Sequence, residues 1–289
     1  MSTRNESASG LIWNVQKETL PLGDGLKEKV LHVRIRRVPE NGSFIDEIRA
    51  AHPDVGALSL DLNEYDDCTL ATADLAGLET LTNLKLLFAH LQGKLFASRP
   101  IDASLLDLRR LIVGYYPKVS DVLVSAPKLN DLFIESSPLD TLLNIRANLE
   151  QLTLFRTKKC ICPKAWDKVS GLDELNIDQA GTLHVDAPAG GWPPHVSIRW
   201  ASSVKGLVQA SQIQPFNLLY LTGVRLFDVG TSFWDLKARS VILGFTNKPP
   251  KWLVEQWPHR PENWAQWFKV PYHPSLPGSE ECWFEDDQE

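Results

Sequence analysis

Aliphatic residues recur along this chain in pairs separated by one position, and the pairs return roughly every 20–27 residues. The clearest copy is Leu129-Asn130-Asp131-Leu132-Phe133-Ile134-Glu135-Ser136-Ser137-Pro138-Leu139. Its apolar residues stand at positions 1, 4, 6 and 11, with a small polar residue, Ser137, at position 9. Stepped along the chain, the same frame starts at Glu28, Val55, Leu81, Leu108, Leu129, Leu149, Leu172, Pro193, Phe216 and Ala238. Positions 4 and 6 then read Leu31/Val33, Leu58/Leu60, Leu84/Leu86, Leu111/Val113, Leu132/Ile134, Leu152/Leu154, Leu175/Ile177, Val196/Ile198, Leu219/Leu221 and Val241/Leu243. Every one is aliphatic. Alternate residues of a strand point to the same side, so each copy predicts a short strand with positions 4 and 6 buried together. One such unit cannot hide its apolar side alone, whereas stacked copies share a continuous core.

The connections predict different elements along the chain. The first three intervals have room for a helix, and Ser43–Ala51 reads as one, with Ser43 as N-cap and Phe44, Ile45 and Ile48 at helical spacing. Residues 70–79 read as a second, weaker helix, and the shorter later intervals as extended or 3₁₀ segments. Residues 1–27 form a lead-in covering the open end of the first copy, with the polar first ten disordered. The frame stops near residue 249. Residues 249–289 carry five tryptophans (Trp252, Trp257, Trp264, Trp267 and Trp283), and Pro261–Phe268 reads as one short helix within a C-terminal cap that ends in an acidic tail. An aromatic groove for a peptide is the other reading of that segment.

The frame LxxLxLxx(N/S/T/C)xL resembles the signature of the leucine-rich repeat family, here in irregular form. Position 9, usually asparagine in that family, is asparagine only at Asn63. The resemblance implies an α/β solenoid of about ten repeats over residues 28–248. It also implies a curved parallel β-sheet on the concave face, with helices and then short 3₁₀ or extended segments on the convex side. It further implies that a protein partner binds on the concave face.

Composition narrows the function classes. The chain has 289 residues and a net charge of −6, so a sequence-independent grip on nucleic acid or on anionic lipid is not expected. No apolar run suggests a signal peptide or a membrane span. Four scattered cysteines suit a reduced, cytoplasmic setting. Phosphate-loop, dinucleotide, zinc-protease and nucleophile-elbow motifs are all missing from the sequence. Cys160-Ile161-Cys162 is too closely spaced for a zinc knuckle, and the seven histidines are dispersed. The expectation is a protein with no enzymatic activity and no cofactor or metal, monomeric on its own, whose partner is another protein.

Positions 3, 5, 7 and 8 project from the sheet face opposite the core. Phe88, Tyr115, Phe133 and Phe155 come from consecutive copies and predict an aromatic stripe. Lys85, Arg110, Asp131, Glu135, Arg156, Glu174, Asp178 and Arg199 flank it, and Trp200 and Tyr220 lie further along. Exposed aromatics among charges are the usual composition of interface anchors. Arg110–Asp131 and Asp178–Arg199 equally fit ion pairs within the ladder. Inhibition by occlusion, as by an immunity protein masking a toxin, is one form of this function, and a scaffold or effector adaptor is another. Glycan recognition through Tyr115, Tyr220 and Trp200 is the alternative from a different class.

Overall fold

A computed structural model describes residues 4–6, 11–21, 27–35, 44–62, 72–74, 76–91, 94–96, 101–102, 107–114, 123–135, 149–156, 159–162, 172–185, 192–227 and 232–279. The chain divides into two units, Met1–Leu154 with Lys168–Leu172, and Phe155–Asp167 with Asp173–Glu289. Each is a run of parallel-strand β-solenoid.

The first unit opens with β1 (Arg4–Glu6) and β2 (Leu11–Pro21). These pair antiparallel to each other and, through β2, to β3 (Lys27–Ile35). Residues 4–6 are therefore a strand, where the sequence alone suggested disorder. An antiparallel hairpin laid along the first parallel strand fills a backbone edge that would otherwise be open. Parallel pairing then runs from β3 to β4 (Ala57–Leu62), with Leu31 opposite Leu58 and Val33 opposite Leu60. All four side chains are buried. The connection contains α1 (Phe44–Ala51), whose Ile45 and Ile48 are fully buried at helical spacing. Among its described residues, the segment 70–79 is not the helix expected. It holds β5 (Thr72–Asp74), paired with β7 (Lys94–Phe96), and a 3₁₀ turn at Leu78–Thr80.

The third copy is shifted by three residues from the sequence frame. In β6 (Leu86–Leu91), Leu87 lies opposite Leu58 and Ala89 opposite Leu60, so Leu84 rather than Leu81 opens this copy. Both Leu81 and Leu84 are buried, and the leucine-rich run 81–87 satisfies either register from sequence alone. β8 (Ile101–Asp102) pairs with β10 (Leu123–Ser125) away from the main ladder. The main ladder continues through β9 (Arg110–Gly114), β11 (Asp131–Glu135) and β12 (Gln151–Phe155). Leu111, Leu132, Ile134, Leu152 and Leu154 are buried as the frame predicts.

The second unit repeats one rung with little variation. β14 (Glu174–Asp178), β16 (His195–Arg199), β18 (Leu218–Thr222) and β20 (Val241–Gly244) pair in parallel, in register. A second parallel sheet follows the order β13 (Lys159–Cys162), β15 (Thr182–Val185), β17 (Ser203–Lys205) and β19 (Leu226–Phe227). Each full rung buries four side chains at the same offsets. These are Leu175, Ile177, Ala180 and Leu183; Val196, Ile198, Ala201 and Val204; and Leu219, Leu221, Val224 and Phe227. Position 9 is thus a small or branched apolar residue facing inward (Ala180, Ala201, Val224), where the related pattern has asparagine. The interval after β17 is not merely extended, because it carries α2 (Leu207–Ile213). Cys160 and Cys162 lie in β13, opposite Leu183 and Val185.

The C-terminal segment adds a rung of its own. α3 (Lys251–Gln256) is followed by 3₁₀ turns at Trp257–His259 and Trp264–Gln266, and then by β21 (Phe268–Lys269), parallel to β20. The single helix expected over 261–268 is therefore a 3₁₀ turn and a strand. Phe268 closes the core, ringed by Phe233, Trp234, Trp257, Trp264 and Trp267 at centroid distances of 5.3–6.4 Å. Trp257 Nε1 donates to the Pro277 carbonyl at 3.0 Å, and Trp252 Nε1 to the Val224 carbonyl at 3.3 Å, so both buried indoles are satisfied. Among the described residues no helix is long and apolar enough to cross a membrane.

Candidate binding face

Strand alternation fixes which side chains leave the core. In the second unit these are Glu174, Asn176 and Asp178 on β14, His195, Ser197 and Arg199 on β16, and Tyr220 and Thr222 on β18. The register aligns them in rows: Glu174 with His195; Asn176 with Ser197 and Tyr220; Asp178 with Arg199 and Thr222. Asn176 Nδ2 donates to Glu174 Oε1 at 2.8 Å along its own strand. Although Asp178 and Arg199 are direct Cα partners, they do not form the ion pair that the sequence offered as one of two readings. Arg199 turns the other way, with its guanidinium carbon 5.3 Å from the centre of the Tyr220 ring. Asp178 Oδ1 is shut off from solvent and accepts no hydrogen bond among the described residues.

The residue after each strand is the unusual part of this face. Arg156, Gln179 and Trp200 have φ of 54°, 54° and 56°, and Gly223 follows at 63°. These are position 8 of four successive copies. Their amides continue the ladder: Arg156 N–H donates to the Asp178 carbonyl, Gln179 to Arg199, Trp200 to Thr222 and Gly223 to Gly244, all at 2.7–3.1 Å. The left-handed turn swings the chain so that position 9 enters the core, which is why Ala180, Ala201 and Val224 are buried there. Only glycine adopts this conformation freely; a side chain costs roughly 1–2 kcal/mol. The chain bears that cost at three positions in a row and keeps all three side chains exposed.

Those side chains are held in place. Arg156 Nε donates to Gln179 Oε1 at 3.1 Å, and its guanidinium carbon lies 4.8 Å from the centre of the Phe155 ring. Trp200 is 51% exposed, yet its indole lies against Gly223. A Cβ at position 223 would stand 2.5 Å from Trp200 Cε3 and 2.9 Å from Cζ3. The missing side chain at 223 is the seat of the indole. Gly244 plays the same part for Thr222, whose Oγ1 would meet a Cβ there at 2.6 Å.

The second unit thus brings together seven of the residues singled out from sequence: Phe155, Arg156, Glu174, Asp178, Arg199, Trp200 and Tyr220. In the first unit, Phe133 and Phe88 occupy one row on either side of Ile112. The three-residue shift, not the sequence frame, puts them there. Lys85 is displaced by the same shift. It precedes β6, its amide donates to the Gly56 carbonyl, and Phe88 rather than Lys85 lies opposite Ile112. Arg110 Nε and Asp131 Oδ2 form a cross-strand ion pair at 2.9 Å. Glu135 ends β11 opposite Gly114. Tyr115 lies outside the described residues. Gln179, Thr222, Gly223 and Gly244 were missed from sequence. The glycine at position 8 of one copy was the only available sign, and its neighbours in that column are not glycines.

No protein-family model matches the sequence, and no curated protein or solved structure is significantly similar to it.

Proposed function

We propose that this chain is a leucine-rich-repeat-like binding module of the α/β class, without enzymatic activity, that holds a protein partner on the ladder face of its second unit. The reading rests on the row Arg156–Gln179–Trp200. Exposed side chains kept on strained left-handed backbone mark positions where something other than folding selects the residue. Tryptophan, tyrosine and arginine are also the residue types that dominate interface energetics, and a side chain fixed before binding loses less entropy on contact. Occlusion of the partner is the mode that a large rigid face suits. An inhibitor or immunity protein acting in the cytoplasm on a toxin is its most specific form, and an adaptor uses the same surface. A glycan platform is less well supported, because one face of Tyr220 is occupied by Arg199.

The test is affinity capture by the full-length chain from its native host, comparing wild type with Trp200→Ala/Tyr220→Ala and with Ile213→Ala/Leu226→Ala. The latter pair alters exposed apolar residues on α2 and β19. The reading expects a stoichiometric partner lost only from the first variant. A partner lost only from the second variant places recognition elsewhere and ends the reading.

A further inference from the structure

The carboxylate of Asp178, which forms no ion pair among the described residues, says more about what this face recognises. Arg199 is its direct neighbour across β14 and β16, and is the residue that sheet geometry offers as its counter-charge. Yet Arg199 leans towards β18 and lies over Tyr220, and Trp200 leans the same way onto Gly223. Arg199 and Trp200 therefore both turn away from β14. Asp178 Oδ1 is left shielded from water with no donor among the described residues, while Asn176 donates to Glu174 and not to Asp178. Asp178 as a whole is only half-buried, so a partner that brings a cation against its exposed part supplies the counter-charge that Arg199 does not.

We propose that the β14–β16 surface takes a lysine or arginine side chain from a protein partner, with Asp178 as its counter-charge and Trp200, fixed on Gly223, as the apolar anchor one rung over. This deepens the reading above and rests on it. The net charge of −6 complements a basic partner segment. With Arg199 diverted to Tyr220 and Arg156 engaged by Gln179 and Phe155, neither guanidinium forms an ion pair with Asp178 among the described residues.

A phage-displayed random dodecapeptide library, selected on the immobilised full-length chain, tests this. Selected peptides are expected to share a basic residue at one fixed place. Their affinity should fall about thirtyfold or more with the isosteric Asp178→Asn, and fall again with Trp200→Ala. The same library selected on Asp178→Lys should yield an acidic residue at that place. Peptides that depend on Trp200 but carry no fixed basic residue, or that bind Asp178→Asn as tightly as wild type, overturn the proposal and leave the binding face standing. Peptides indifferent to Trp200, or no selected peptide at all, overturn the proposal and count against the face as well. Circular dichroism melts of each variant separate lost recognition from lost folding.

Discussion

Replacing Gly223 with alanine perturbs two things at once, and the structure allows them to be separated. The backbone at 223 has φ of +63°. An L-residue there costs roughly 1–2 kcal/mol, offset by about 0.5–1 kcal/mol because alanine is less disordered than glycine when unfolded. The added Cβ also falls 2.5 Å from Trp200 Cε3, well inside contact distance, so the indole must leave its seat. The indole is half exposed, and about half of a tryptophan's 150–250 Å² surface at 25 cal/mol/Å² bounds the packing lost on displacement to about 3 kcal/mol. Gly223→Ala is thus expected to destabilise by about 1–4 kcal/mol. In a Trp200→Ala background no indole remains to be displaced, and the same substitution should cost only the backbone part, about 0.5–1 kcal/mol. Urea unfolding of the four proteins, followed by far-ultraviolet circular dichroism, gives the coupling. A value above about 0.5 kcal/mol is expected; additivity within that margin would show that Trp200 does not rest on Gly223.

Three other outcomes follow from the same geometry. Gln179→Gly should raise stability by about 0.5–1 kcal/mol in urea unfolding, despite loss of the exposed Arg156–Gln179 hydrogen bond, because φ of 54° is relieved. Ser211→Ala should cost about 1–3 kcal/mol in the same assay. The fully buried Ser211 Oγ donates to the Val208 carbonyl at 2.7 Å and accepts from Lys237 N–H at 3.0 Å, and its removal strands the second donor. The Arg110–Asp131 pair, partly solvent-exposed at 2.9 Å, should show a double-mutant coupling of no more than about 1 kcal/mol.

How much of this was legible in the sequence depended on whether one pattern had one solution. Positions 4 and 6 were readable because strand alternation and burial leave no other arrangement for pairs such as Leu175/Ile177. Helix α1 was readable from Ile45 and Ile48 together. The third copy was not, since the leucines from 81 to 87 fit two registers and only pairing with β4 chooses between them. The second sheet escaped notice because its strands are two to four residues long, too short for alternation to register. The last rung was hidden because Phe268–Lys269 follows a tryptophan- and proline-rich stretch that reads as a cap. The binding face was half legible. Residue types at the projecting positions could be read off, but the direction Arg199 turns is set by its neighbours across the ladder. The left-handed turn at 156, 179 and 200 was invisible, because none of those residues is a glycine.

The claim that recognition occurs on this face is tested most directly by photo-crosslinking. A benzophenone amino acid is placed singly at 200, 220, 213 and 226 in the full-length chain and irradiated with the captured partner. The account predicts adducts from positions 200 and 220 and none from 213 and 226. Adducts confined to 213 or 226 would contradict it.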